Sequence, residues 1–314
     1  MRLSVAVLVV LGALPGAGAR AQGVATDGTS PGLRYQASLD VPLTLAGVAG
    51  SLGPKLLAGD REPWPCRWCD RDADGRDTLN GLDAAVRRHW RWSRLQSAQS
   101  LSNVTLALSL IAPAGAFAAA RGGFGNGFGE EMLLVVESGA VTLGLTQATK
   151  YLFRRARPWA HAGEPPPGEH LGSRDASLSF VSGHASVAFA LAVSTGSLAS
   201  LRGDDGKAWV WATGLTVAAA TGYLRIAADR HYLTDVLGGA ALGATVGWLV
   251  PRLIDRRPAP EAPATADVRF PERAVALFSV VLGPRGGSLA PRSGVLLTGG
   301  LRGGGPFVSG TWGF

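Results

Sequence analysis

The sequence predicts an all-α fold: a helical bundle of about five to six core helices, membrane-embedded, with a short C-terminal β-rich tail. Three observations lead there. Hydrophobic residues make up 46% of the 314 and charged residues only 17%, a balance typical of membrane proteins or of Ala/Gly-rich helical cores. Five apolar stretches near bilayer-spanning length alternate with short polar breaks. Beyond residue 257 that rhythm gives way to short apolar runs broken by Gly and Pro, which read as strands.

Taken in order, Met1–Ala21 has Arg2, an apolar run Leu3–Leu14 and the small-x-small triplet Ala19-Arg20-Ala21. That is the pattern of a secretory signal peptide, with Gln22 as the mature start. Gln22–Asp40 is polar. Val41–Ala58 is apolar but carries Pro42, Pro54 and Lys55, so it reads as a packed or interfacial segment and not as a span. Asp60–Arg94 is an insert. It holds both cysteines of the chain, Cys66 and Cys69; in an exported protein a local disulfide is expected, with free thiols as the alternative. Zinc would need two further ligands. Asp70–Asp83 places Asp at alternating positions before Gly75, like the opening of a calcium loop. Gly81 falls where such a loop needs a bidentate acid, so a solvated acidic turn is expected. Arg87–Arg94 interleaves Arg with Trp, suiting either a membrane interface or a helix with a basic face.

The five apolar helices are expected at Leu101–Ala120, Glu131–Lys150, Gly183–Leu201, Ala208–Ile226 and Asp235–Leu253, rich in the Ala, Gly, Ser and Thr that permit close packing in a bilayer. Arg202–Lys207 is a tight turn. The loop Tyr151–Val181 carries Arg154, Arg155, His161, His170 and Arg174; the two histidines are expected to be solvated, and Glu137 to be a core acid. The tail runs, Ala274–Leu282, Gly294–Leu301 and Phe307–Phe314, are expected as two or three strands. The resulting domains are 1–21 (signal peptide), 22–97 (exported segment), 98–257 (helical core) and 258–314 (linker and tail).

A net charge of +7 favours anionic partners, including an anionic membrane surface. Nucleic acid is set aside, because the arginines are scattered and no binding motif is present. The chemistry-bearing residues lie in three short stretches. Tyr223–Gly239 contains Arg225, His231 and Asp235; four residues apart on a helix, His231 and Asp235 would stack, letting the carboxylate fix the imidazole tautomer. Lys150 and Arg157-Pro158 close the second apolar segment, and Ser182-Gly183-His184 open the third, where helix-start N–H groups can face an anion. Up-down connections bring all three to one end of the bundle and Arg202–Lys207 to the other.

In order and inner spacing these stretches resemble the type 2 phosphatidic acid phosphatase and vanadium haloperoxidase superfamily, over roughly Leu101–Arg257. Val181 replaces the usual Pro before Ser-Gly-His, and Leu224 the usual Ser before Arg225. The resemblance implies hydrolysis of a phosphomonoester or pyrophosphate through a phosphohistidine, without metal or other cofactor, and with vanadate as an inhibitor. It assigns His231 as nucleophile, Asp235 as its orienting partner and His184 as proton donor. Lys150, Arg157, Ser182, Gly183 and Arg225 would surround the phosphoryl oxygens. A phosphorylated lipid or small phosphoester is the expected substrate, at a bacterial inner membrane with the site facing the periplasm. The alternatives are a soluble periplasmic acid phosphatase, a vanadate-dependent haloperoxidase, or an inactive lipid-binding envelope protein.

Overall fold

A computed structural model of the chain describes residues 3–8, 35–58, 65–121, 127–255, 278–284, 295–302 and 305–312. These fall into two units, Ser30–Ala259 and a second made of Met1–Thr29 with Pro260–Phe314. All the described helices belong to the first: α1 (Ala37–Ala58), α2 (Gly81–Trp90), α3 (Leu95–Arg121), α4 (Phe128–Phe153), α5 (Pro158–His161), α6 (Gly183–Arg202), α7 (Lys207–Ala227) and α8 (Leu233–Asp255).

Helix α6 is the axis of the bundle and packs on α3, α4, α7 and α8. Its closest neighbour is α8, and the reason is a row of glycines at four-residue spacing. A Cβ on Gly239 would come within 2.6 Å of Ser182 O, one on Gly243 would collide with Ser186 O, and one on Gly247 with Ala190 O. Only bare backbone allows that approach. Several hydroxyls of the bundle are satisfied locally: Ser138 donates to Leu134 O at 2.9 Å, Thr142 to Ser138 O at 2.7 Å and Thr195 to Leu191 O at 2.7 Å, which lets these small polar residues be buried.

Four helices, α3, α4, α6 and α8, are long and apolar enough to cross a membrane. Helix α7 has the length but is less apolar, interrupted by Thr213, Thr216 and Thr221. On α3 the exposed residues Leu101, Val104, Leu108 and Ile111 recur at three- and four-residue steps and form one apolar outer stripe. Leu237, Trp248, Leu249 and Leu253 are likewise exposed on α8. Such stripes match a lipid surround better than water. Helix α1 packs against α4, where Gly47 lies on the Ala140 backbone; its apolar part, Ala37–Gly53, is shorter than a span.

The helix ends that carry the sequence motifs coincide: α4 ends just after Lys150, α6 begins at Gly183, and α7 and α8 flank His231. The Arg202–Lys207 turn, with Gly203 at φ 74°, joins α6 to α7 at the opposite end. The second unit is a four-stranded antiparallel sheet in the order β1 (Leu3–Leu8), β2 (Phe278–Pro284), β3 (Val295–Arg302), β4 (Gly305–Trp312). The register pairs Val5 with Leu282, Val280 with Leu297 and Leu297 with Gly310. The apolar run read as the core of a signal peptide thus supplies its first strand. The linker from 258 to 266 lies outside the described residues.

Candidate active site

The pocket is built where α4 stops. Arg154 closes that helix in the left-handed region at φ 45°, its N–H on Lys150 O, and the chain then runs extended through Arg155, Ala156 and Arg157. Pro158 opens the short α5, as its fixed φ and missing N–H favour. Arg157 is buried. Its Nε donates to Asp175 O at 2.8 Å, Nη2 to Asp175 Oδ1 at 2.7 Å, and Nη1 to Arg230 O at 2.8 Å. Nη1 also lies 3.3 Å from His231 Nε2. A guanidinium can only donate, so this contact assigns the lone pair of His231 to Nε2 and its proton to Nδ1.

His231 is buried and stands in the bend ahead of α8, which starts at Leu233. The expected stacking of His231 over Asp235 on one helix is therefore corrected. Nδ1 is 3.8 Å from Asp235 Oδ2, beyond a hydrogen bond, and 3.5 Å from Ser179 Oγ. Ser179 Oγ donates to Asp235 Oδ2 at 2.6 Å and the Tyr232 N–H at 2.9 Å, while Oδ1 takes Arg155 Nη1 at 2.9 Å. The influence of Asp235 on His231 runs largely through Ser179. Burial, and after it the positive charges of Arg157, Lys150 and Arg225, hold the His231 pKa well below the usual histidine value, so the ring is neutral at pH 7.

The other motif residues converge on the same pocket. Lys150 Nζ donates to Leu178 O at 2.9 Å. Ser182 caps α6 with its N–H on Asp235 O at 3.0 Å, which ties the second motif directly to the third. The Ser182 hydroxyl and Arg225 Nε are buried with no hydrogen-bond partner, so two donors stand ready for an acceptor. Gly183 follows in the first turn of α6; a Cβ there would make only ordinary contact with Thr146, at 3.5 Å, so backbone N–H access, not space, is its contribution. His184 Nε2 donates to Asn103 Oδ1 at 2.9 Å, and Arg225 Nη1 to Ser102 Oγ at 3.2 Å. Asp175, half-exposed, loses some hydration, yet Arg157 and Lys150 outweigh that and hold its pKa at about 2.

Ser102 and Asn103 on α3, Asp175, Ser179 and Arg155 are the site residues that motif spacing missed. The first two sit on a helix with no motif of its own. The others lie in a loop whose folding the sequence left open.

Residues 131–259 match the family model of the PAP2 superfamily. That stretch, which holds all three motifs, is similar to PAP2 proteins. Among curated proteins it is similar to the lipid A 1-phosphatase of Porphyromonas gingivalis, 38% identical over 106 residues that cover 34% of this chain and 20% of that protein. It is also similar to the undecaprenyl-diphosphatase of Sulfolobus acidocaldarius, 28% identical over 117 residues, 37% of this chain and 52% of that protein. The matches thus take in a fifth and about half of the lengths of these relatives. Among solved structures, a transmembrane PAP2-type phosphatidylglycerolphosphate phosphatase from Bacillus subtilis aligns over 71% of this chain and 98% of that one, at 16% identity and a TM-score of 0.41.

The insert packs against the motif end of the bundle through its charged residues. Cys66 and Cys69 are bonded to each other. Asp70 and Asp83 are not a solvated turn: both are buried and bind Arg155, at 2.9 and 3.0 Å. Among the described residues no group of His, Cys, Asp and Glu is arranged to hold a metal ion. Arg87 grips Asp229 through two bonds of 2.7 and 2.8 Å, and Arg91 reaches Asp229 and Glu164 at 3.2 and 2.8 Å. These arginines of the Trp/Arg stretch serve protein contacts, where an interfacial segment would offer them to lipid. Asp229 sits at φ 56°, a conformation an Asp tolerates, in the turn that delivers His231. His161, expected to be solvated, is instead packed between Cys69 O and Asp77, both at 3.2 Å. His170 is exposed and Glu137 buried.

Proposed function

We propose that this protein is a metal-independent phosphatase that removes a phosphoryl group from a lipid phosphate or diphosphate through a phosphohistidine on His231. The observation that carries this reading is the orientation of His231: its Nε2 lone pair faces Arg157, in a pocket that also holds Lys150, Arg225 and the unpartnered Ser182 hydroxyl. A neutral nucleophile inside a ring of cations is what attack on a phosphate ester demands, since the cations offset the charge of the anion and of the transition state.

The steps balance as follows. His231 Nε2 attacks phosphorus in line, the bond from phosphorus to the leaving oxygen breaks, and His184 in its protonated form gives that oxygen a proton. Water then attacks the phosphohistidine and loses a proton to His184. The P–N bond breaks, its electron pair returns to Nε2, and inorganic phosphate leaves. Lys150, Arg157, Arg225, Ser182 and the Gly183 N–H hold the phosphoryl oxygens throughout. Vanadate, with the same shape and charge, is expected to occupy this cradle and inhibit.

The lipid character of the substrate is supported by the apolar outer stripes of α3 and α8 and by the two relatives, whose names specify lipid A and undecaprenyl diphosphate. A disulfide persists in oxidising compartments, and Cys66–Cys69 belongs to the insert packed against the motif end of the bundle. That supports an inner-membrane protein whose active site faces the periplasm, after export directed by Met1–Ala21. The test is release of inorganic phosphate from lipid A 1-phosphate, undecaprenyl diphosphate, phosphatidic acid and a soluble aryl phosphate, by the purified protein in detergent with EDTA. Phosphate from at least one lipid, abolished in His231→Ala, is the expected result. Turnover of the aryl ester alone would overturn the lipid assignment, and full activity in His231→Ala the mechanism.

A further inference from the structure

Arg155 lies two residues from Arg157, yet its guanidinium points into a different environment. The side chain is fully buried. Nε donates to Asp70 Oδ2 at 2.9 Å, Nη1 to Thr234 Oγ1 at 2.7 Å and to Asp235 Oδ1 at 2.9 Å, and Nη2 to Asp83 Oδ2 at 3.0 Å. Four of the five N–H donors an arginine has are thereby engaged. Its flat faces are covered by Trp68 and Tyr232, whose ring centroids lie 4.2 and 4.3 Å from Cζ. The backbone is tied down as well: Ala156 N donates to Trp68 O, and Ser179 N to Arg155 O, each at 3.0 Å.

The two ties reach the nucleophile from both sides of one carboxylate. Arg155 holds Asp235 Oδ1 directly. Ser179, suspended from the Arg155 carbonyl, holds Asp235 Oδ2 at 2.6 Å and stands 3.5 Å from His231 Nδ1. Thr234, next to Asp235, is fixed in turn by Asp83 through its N–H at 3.0 Å and its hydroxyl at 2.6 Å. Trp68, Asp70 and Asp83 all come from the insert, outside residues 131–259 that match the family. One cation meets three carboxylates here, so the cluster keeps negative charge on the Nδ1 side of His231, opposite the cationic pocket.

We propose that Arg155, clamped by Trp68, Asp70 and Asp83 of the insert, is a positioning residue that sets His231 for attack by fixing Asp235 and Ser179. The insert is then part of the catalytic apparatus. This rests on His231 as nucleophile.

The test is a double-mutant cycle on the full-length protein in detergent, reading kcat and KM separately. Arg155→Lys keeps the charge but loses the fork, and is expected to lower kcat by about 100-fold, the scale of a small misplacement of a reacting group, with KM little changed. Combined with Asp235→Asn it should be no slower than Asp235→Asn alone, because both act through one contact. Asp83→Asn should lower kcat in the same direction by a smaller factor, again without adding to Asp235→Asn. If Arg155→Lys does not elute as a single folded species, the Asp83→Asn cycle decides. Multiplying losses, or a wild-type kcat with only a lower melting temperature, would overturn the proposal. Activity surviving in His231→Ala would instead remove the nucleophile assignment, while the cycle would still report whether Arg155 and Asp235 act together.

Discussion

Arg155 and Arg157 are separated by one alanine, both are buried, and they do opposite work. Around Arg155 are three carboxylates, a hydroxyl and two aromatic faces. Its donors are engaged by neighbours that cannot leave without stranding charge in the interior, which would cost several kcal/mol. Burial alone would lower its pKa, but Asp235 and Asp70 more than compensate and raise it. Arg157 meets two backbone carbonyls, a half-exposed carboxylate and an imidazole lone pair. Beyond those direct partners the surrounding charges are mostly cationic, from Lys150, Arg225 and Arg230, and burial followed by the nearness of Arg157 lowers the pKa even of Arg230. Both guanidiniums are held in place; the difference separates one surrounded by an excess of carboxylates from one in a pocket with an excess of cations, which favours an anion. Sequence type cannot make that distinction; partner chemistry does.

The comparison breaks most sharply at the nucleophile. His231→Ala should remove turnover by about 10⁶-fold, the scale seen when a covalent nucleophile is lost, with the folded state intact by circular dichroism. Next comes the cation ring: Arg225→Gln is expected to cost about 2.7–4 kcal/mol of barrier, roughly 10²–10³ in kcat, read in steady-state assays. Anion binding sharpens the contrast further. Vanadate at a hundred times its Kd should stabilise the protein by about 2.7 kcal/mol in a thermal scan, and Arg157→Gln should abolish that gain.

The pH response is read at His231 and Asp175. His231 has a folded pKa below the ~6.5 of the unfolded chain, so the ring stays unprotonated, and phosphohistidine formation in single turnover should persist below that pH. Its contribution to stability is present above ~6.5 and lost as pH falls further, because only the unfolded chain takes up the proton. Asp175, at about 2 when folded, stabilises above its unfolded ~3.9 and loses that contribution as pH falls through about 2. Acid denaturation of Asp175→Asn against wild type reads the second effect. The smallest change is expected at Arg76→Ala, an exposed pair with Asp74 at 2.8 Å, worth about 0–1 kcal/mol in denaturant melts.

The helices and the convergence of the three motifs were legible in the sequence because both follow from period and parity, whereas α7 is not among the four helices apolar enough to cross a membrane. Gly183–Leu201 and Ala208–Ile226 fall within a residue of α6 and α7, since the Arg202–Lys207 turn leaves no other place to end. The register at α8 was not legible. A four-residue spacing between His231 and Asp235 looks the same whether the helix begins at 231 or at 233, and here the bend wins, held by Asp229 on Arg87. The acidic turn is exposed at its centre, Asp72, Asp74 and Asp77, as expected, but its two ends were misread for a related reason. Asp70 and Asp83 look solvated when counted along the chain, and their partner Arg155 is more than seventy residues away. Asn103 carried no signal at all, because an amide beside Gln96 and Gln99 on the same helix says nothing until His184 is beside it.

The row of Gly239, Gly243 and Gly247 has a consequence for life in a bilayer. Because α6 and α8 meet backbone to backbone, and Ser182 N is bonded to Asp235 O, the turn bearing His184 and the bend bearing His231 ride on one rigid rail. Membranes of different thickness can tilt an outer spanning helix such as α3 by several degrees. The gap across which phosphorus must travel would keep its width.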